Sequence, residues 1–412
     1  MQKSEERFDV SLHGKRIGAL SRRNDYTWLE FDESYVSDPH RATMGLRFEE
    51  DLTARHAANA RLPPWFSNLL PEGALRKWIA AARGTTPTRE MELLAQVGHD
   101  LPGAVQVKLA HEPHGQQTPI RHEFIQQISP VRTEPLWRFS LAGVAMKFSM
   151  REKGGQFAAP ASGDGGDWIV KLPDASHPHV PLNEFTMMTL ASRVGIEVPE
   201  VRLVHRDSIA SVPDALWPRN EVYAYAVRRF DRAADRQLVH IEDLAQVRGF
   251  YPDDKYAGSF ETVANLVYRR RDTKALKEFA RRLAFYVLVK NGDAHLKNWS
   301  LIYRDQRIPT LSPAYDIVST SVYRPSNQPE DLGLKFCGSR RFATAKLSCF
   351  VRLEEKLGTS IDLVEEVRAL VSATQNEWPG VEPLLAEQPG MALAIAASIE
   401  EGVKQFDGGL RS

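Results

Sequence analysis

Asp293, His295, Lys297 and Asn298 fall within six residues, in the stretch NGDAHLKN, and a further aspartate, Asp316, follows behind two strand-like runs. Transfer of a phosphoryl group asks for such a set: a metal bridging the phosphates, a cation on them, and a carboxylate to orient the attacking hydroxyl. Asp293 and Asn298 are five positions apart, the spacing of the base aspartate and the metal-binding asparagine in the protein-kinase catalytic loop. The Asn298 amide oxygen and the Asp316 carboxylate are hard oxygen ligands of the kind Mg²⁺ prefers. Lys297 adds a positive charge to the same region, and His295 has no part in this scheme. Other readings stay open at this point. A metal-dependent hydrolase could be built on Asp293, His295 and Asp316, and a DxxxxN pair also occurs in plain surface loops.

Upstream residues bear on the choice. The run WIVKL places Lys171 in an apolar, buried-looking strand, where an ammonium needs a charge partner. Glu184 follows on a predicted helix from Asn183. A strand lysine paired to a helix glutamate, ahead of a DxxxxN block, is the kinase arrangement for gripping ATP phosphates. The competing reading is a half-exposed lysine on an edge strand. Before it, SLAGVAMK sets Gly143 and Lys147 in a turn between two strand runs. No GxxxxGK[ST] occurs, which removes the P-loop nucleotide hydrolases.

The elements that must hold these residues are β-rich first and helical later. FDVSLHGKRIGAL alternates and turns at His13-Gly14-Lys15, TWLEFD is a second strand run and MGLRF a third. Helix signals follow around LPPWFSNLLPEGALRKWIAAA, then strand at GAVQVKL. Residues 111–135 are polar and proline-bearing, as in a link between lobes. VPEVRLVH, SIASV and EVYAYAVRRF predict further strands, and NEFTMMTLASRVG a helix. After Asp231 the apolar residues take helical spacing. The basic groups in HGKRIG and RRLAFYVLVK read as solvated faces. In HIEDLAQ, Glu242 and Asp243 read as acids at a helix start, with a hold on Lys255 or a peptide substrate as the alternative. With 412 residues the chain exceeds one ordinary core. Lys plus Arg and Asp plus Glu are both 53, so a net charge of zero argues against nucleic-acid binding through the global field. Two cysteines without a CxxC pair, no signal-like start and no apolar run of ~20 residues predict a cytoplasmic protein with no membrane span.

The chain also resembles the HipA-type serine/threonine kinases of bacterial toxin–antitoxin systems. The carriers are LPPWFSNLLPEG, LPGAVQV, SLAGVAMKFS, WIVKLP, LNEF, RRFDR, HIEDLAQ, NGDAHLKN and PAYD, which together span almost the whole sequence. The resemblance implies an α+β, two-lobed protein-kinase-like fold: a β-rich N-terminal subdomain (1–110), a β-rich kinase lobe (111–230) and an all-helical lobe (231–412). It implies ATP and Mg²⁺ as cofactors, Asp293 as catalytic base, and Asn298 and Asp316 as metal ligands. Lys171 would be the α/β-phosphate lysine, paired with Glu184, and Lys297 would assist catalysis. Val144, Ala145, Met146 and Lys147 would form the phosphate loop, His295 would lie against the nucleotide, and Arg228 to Phe230 would be the hinge that holds adenine. Ser140 falls where family members autophosphorylate. The implied partners are a protein substrate such as an aminoacyl-tRNA synthetase and a small helix-turn-helix antitoxin through which DNA is reached. Two departures stand out: Ala145 and Met146 replace the usual loop glutamine, and Arg228 replaces an acidic hinge residue. A kinase-shaped binding module serving its antitoxin as corepressor is the alternative in a different class.

Overall fold

The computed structural model describes residues 5–407, except 83, 111–145, 161–164, 211, 213–215, 219 and 326. Ser140, Val144, Ala145 and the 111–135 link therefore lie outside the described residues.

Strands β1 (Glu6–Leu12), β2 (Lys15–Arg23), β3 (Tyr26–Phe31), β4 (His56–Asn59) and β5 (Val105–Leu109) form an antiparallel sheet in the order β4-β3-β2-β1-β5. The β1–β2 turn is the expected one, with His13 and Gly14 at positive φ. A second antiparallel sheet runs β7-β6-β8-β10-β9, from β6 (Lys147–Lys153), β7 (Gln156–Ala158), β8 (Trp168–Lys171), β9 (Val201–His205) and β10 (Tyr223–Arg228). Alternation along β8 decides the geometry of the cleft. Trp168 and Val170 face a core shared with the first sheet, among Phe8, Val10, Leu20 and Val107. Ile169 and Lys171 must then face the other way. On that side lies the helix Val180–Arg193, whose Met187, Met188 and Leu190 join the second core. β10 alternates in step, with Ala224 and Ala226 in the first core and Tyr225 and Val227 in the second.

The second core belongs to the helical lobe. Its centre is the helix Thr273–Leu288, which buries Leu276, Phe279, Leu283 and Phe285. The Asp272 carboxylate caps it by accepting the Ala275 N–H at 2.9 Å, a contact worth about 1 kcal/mol. Helices Phe260–Tyr268, Leu347–Leu357, Leu363–Val381 and Pro389–Asp407 pack around it. The lobe is not helix alone. Strands β11 (His240–Asp243), β12 (Ser300–Tyr303) and β13 (Thr310–Leu311) form a small sheet, and β14 (Asp331–Phe336) pairs with β15 (Ser339–Arg341). No helix among the described residues is long and apolar enough to cross a membrane.

Three local expectations fail for tertiary reasons. MGLRF is a turn leading to one 3-10 turn, because the Leu46 N–H is taken by the Glu242 carboxylate at 2.9 Å rather than by a strand. In SIASV, of which Ser211 lies outside the described residues, Ile209 makes an isolated bridge with Phe157. In RRLAFYVLVK, Arg282 and Lys290 are buried rather than solvated, and bond to Glu278 at 2.8 Å and Glu401 at 3.1 Å.

Candidate active site

A cleft of about 1300 Å³ lies between the second sheet and the helical lobe. Met146, Lys147, Lys171, Glu184, Arg228, Phe230, Asp293, His295, Lys297, Asn298 and Asp316 all line it. The structure thus gathers every described candidate residue into one site.

On the sheet side, Lys171 Nζ donates to Glu184 Oε1 at 2.6 Å and to Asp316 Oδ1. The edge-strand reading of Lys171 is excluded, since β8 lies between β6 and β10. Burial works to lower the Lys171 ammonium, but Asp316 and Glu184 outweigh it and hold it well above its usual range. Burial would raise the Asp316 carboxyl, yet Lys171 and Lys147 hold it well below the usual carboxylate range. Glu184 is pushed up to about 7 by burial, against the pull of Lys171. Lys147 sits opposite Lys171 in the β6–β8 register. It is buried, makes no ion pair among the described residues, and burial brings its ammonium down to about 8. The charge of Lys171 is already met by protein carboxylates, whereas that of Lys147 is free to meet an anion.

On the helical side, the chain leaves Thr273–Leu288 through a left-handed Lys290. The His295 N–H then bonds the Asp293 carbonyl at 2.7 Å, and Asn298 Nδ2 bonds the same carbonyl at 2.7 Å. That second bond fixes which end of the Asn298 amide is occupied. Gly292 is required here, because a Cβ would stand 2.6 Å from the Asp331 carbonyl. Asp316 is itself in the left-handed region, φ 61°, a strained conformation that a non-glycine residue holds only where its surroundings enforce it. Tyr315 helps to enforce it: its hydroxyl meets Ser300 Oγ at 2.5 Å and donates to the Lys297 carbonyl at 2.8 Å. His295 is buried, and burial lowers its pKa against the pull of Asp293. Its Nε2 is 3.7 Å from Asp293 Oδ1, and its buried Nδ1 has no hydrogen-bond partner. Asp293, His295 and Asp316 do not form a three-ligand cluster. No group of three or more His, Cys, Asp or Glu is spaced to hold a metal among the described residues. The hydrolase alternative thereby loses its geometry.

Lys297 departs from expectation. Its ammonium does not stand free for phosphates. It donates to the Asn68 carbonyl at 2.8 Å and Asn68 Oδ1 at 3.1 Å, and lies 3.2 Å from Glu72 and 3.5 Å from Asp243. Asp243 also caps the helix Leu244–Arg248 in a reciprocal capping box with Gln246. Glu242 is no cap. It is fully buried and accepts from Leu46 N, Trp65 Nε1 and the Tyr303 hydroxyl. Lys255 belongs to neither acid but to Glu72, at 3.0 Å.

At the hinge, the Arg228 N–H donates to the Glu200 carbonyl and the Arg229 N–H to the Asp167 carbonyl, both at 2.8 Å. Phe230 is then the hinge member whose N–H is not so engaged among the described residues, and its ring lies 5.6 Å from that of Tyr315. The Arg228 side chain is half-exposed beside Glu200. Sequence reasoning gave no role to Asp231, Asp100 or the Arg229 side chain. Arg229 is fully buried and bonds Asp231 and Asp100 at 2.7–2.9 Å, while Arg232 bonds the same two carboxylates. The signal was present as four charged residues in RRFDR beside an apolar strand. Asn68, Glu72 and Tyr256 were also missed. Tyr256 donates its hydroxyl to Asp293 Oδ1 at 2.6 Å.

The Shewanella oneidensis chain solved in a complex of the toxin–antitoxin system HipA, HipB and its operator DNA superposes with a TM-score of 0.70 over 97% of both chains at 21% identity, which establishes the shared two-lobed, kinase-like α+β fold. By sequence, the Sinorhizobium fredii protein Y4dM is 42% identical over 90% of this chain and 92% of its own length. The Shewanella oneidensis serine/threonine-protein kinase toxin HipA is 30% identical over 78% of this chain and 76% of its own. Residues 8–108 match the HipA N-terminal domain and residues 139–378 the HipA-like C-terminal domain, so the chain belongs to the HipA family.

Proposed function

We propose that this chain is an ATP- and Mg²⁺-dependent serine/threonine protein kinase that restrains growth by phosphorylating a component of translation, such as an aminoacyl-tRNA synthetase. One observation carries the reading: Lys171 joins Glu184 to Asp316 in the same cleft that holds Asp293 and Asn298. Asp293 accepts the proton of the acceptor hydroxyl as the γ-phosphoryl group leaves ATP. Asn298 Oδ1 and the Asp316 carboxylate would hold Mg²⁺, which would supply positive charge against the phosphates. The donor set fits: two hard oxygens line the same cleft as Lys147, a cation without an ion pair among the described residues, and as the orphaned Nδ1 of His295. Lys171 orients Asp316 and meets the phosphates, Lys147 compensates their charge, and Phe230 and Arg228 bound the adenine end. Lys297 acts by positioning the loop rather than by touching phosphate.

Residues 1–110, 111–230 and 231–412 would serve as subdomain, nucleotide lobe and catalytic lobe. Ser140 would be the site of self-phosphorylation, as the family resemblance implies. A small helix-turn-helix antitoxin is the expected partner, in line with the HipA–HipB–DNA complex of the Shewanella protein. With a net charge of zero, the isolated chain should bind DNA poorly at physiological salt. Incubation of the purified chain with γ-labelled ATP and Mg²⁺ tests the reading. Transfer of label to serine or threonine is expected, and binding of the antitoxin without any turnover would favour a binding module instead.

A further inference from the structure

The acceptor side of the cleft is assembled across the chain. Glu72, which follows LPPWFSNLLP in the first 110 residues, presents one oxygen to each of two lysines from the other half of the molecule. Its Oε1 is 3.2 Å from Lys297 and its Oε2 is 3.0 Å from Lys255. All three side chains are largely buried, at 13% exposure or less. Burial would raise the Glu72 carboxyl, but the two ammoniums outweigh it and keep the group ionised. Each lysine leads to Asp293. Lys297 lies four residues beyond it on the same loop. Lys255 receives the Leu296 N–H on its carbonyl at 3.0 Å and directly precedes Tyr256, whose hydroxyl holds Asp293 Oδ1 at 2.6 Å. One carboxylate therefore sets both walls around the proposed base, while the Lys171–Asp316 pair stands apart from it.

We propose that Glu72 is a positioning residue for phosphoryl transfer, acting on Asp293 through Lys297 and through the Lys255–Tyr256 arm. The proposal rests on the kinase reading above. Glu72→Gln preserves shape and removes the charge shared by the two ammoniums. Displacement of reacting groups by about 1 Å costs on the order of 10²-fold in rate, so kcat should fall by that order. Nucleotide affinity should change by less than about threefold, because the residues on the phosphate side keep their partners. A purely structural role is separated by a second bridge between the same two parts of the molecule. Arg61 Nη1 bonds Asp253 Oδ2 at 2.9 Å without touching Lys297.

The experiment compares wild type, Glu72→Gln, Glu72→Asp and Arg61→Ala as full chains, reading kcat with labelled ATP and Kd for a fluorescent ATP analogue. The expected pattern is a large kcat loss in Glu72→Gln, partial recovery in Glu72→Asp, nearly unchanged kcat in Arg61→Ala, and similar Kd throughout. Equal kcat in Glu72→Gln and wild type overturns the proposal. So does an equal loss in Arg61→Ala, or a Kd that weakens in step with kcat. If Glu72→Gln does not fold, Glu72→Asp must still show a reduced kcat at unchanged Kd, and wild-type kcat there overturns the idea. A wild-type chain without any transfer removes the kinase reading, and this inference with it.

Discussion

The two sides of the cleft are built on different plans. The phosphate side is local to one sheet and the elements facing it. Lys171 and Lys147 stand opposite each other on neighbouring strands, and Glu184 and Asp316 come from the helix and loop that face them. The acceptor side draws on three distant parts of the chain. Asp293 and Lys297 come from the proposed catalytic loop, Lys255 and Tyr256 from a turn ahead of the helix Phe260–Tyr268, and Asn68 and Glu72 from the first 110 residues. The phosphate side offers a buried cation, Lys147, that makes no ion pair among the described residues. On the acceptor side Lys255 and Lys297 face two carboxylates, Glu72 and Asp243. A site that takes up a highly charged ligand keeps charge in reserve, whereas a site that must only orient a neutral hydroxyl gains from neutral, fixed walls.

The largest expected effect tests whether the sides are separable. Asp293→Asn should reduce transfer by about 10²–10⁴-fold, the usual worth of a general base, with nucleotide binding preserved. A parallel loss of nucleotide affinity would show that the two sides are one unit. Asp100→Ala tests the joint that holds the first sheet to the hinge. It leaves Arg229, 0% exposed, with one carboxylate fewer, and breaking a buried pair costs about 3–5 kcal/mol. Denaturant unfolding should show a loss of that order, and a loss below about 1 kcal/mol would mean that Asp231 alone suffices.

The third prediction concerns pH. Glu242 and Glu184 are both pushed up to about 7 by burial, from 4.5. Each favours the fold most below pH 4.5, and that contribution is lost as pH rises through about 7. Glu242→Gln should therefore flatten the fall in thermal stability between pH 4.5 and 7, leaving the shares of Glu184 and of Asp243, which burial also raises. An unchanged slope would remove Glu242 as a source. Asp316 and Asp231, both held low by neighbouring cations, act in the opposite sense, and their contribution disappears as pH falls below about 3.8. The smallest expected effect is in metal dependence. Asp316→Ala should weaken Mg²⁺-dependent nucleotide binding by at least the roughly tenfold that loss of a supporting group costs at a metal site. Equal affinity across a Mg²⁺ titration would take Asp316 out of the metal shell.

What could be read without coordinates follows from short-range rules. Alternation in WIVK places Lys171 on one face of its strand, and five-residue spacing pairs Asp293 with Asn298, because both rules act within a few residues. The β-rich first half and helical second half are likewise periodicity effects. Local pattern failed at MGLRF, where a buried glutamate almost two hundred residues away takes the backbone donor that a strand would use. It could not assign Lys297 either. A lysine in a catalytic loop reads as a phosphate cation until Asn68 and Glu72, more than two hundred residues earlier, are seen around its ammonium. By itself the sequence determined which residue types are available and which face of each element they occupy. Only the tertiary structure decided which charges are already neutralised and which remain for a ligand, since that depends on Coulomb partners a few ångströms away in space and remote along the chain.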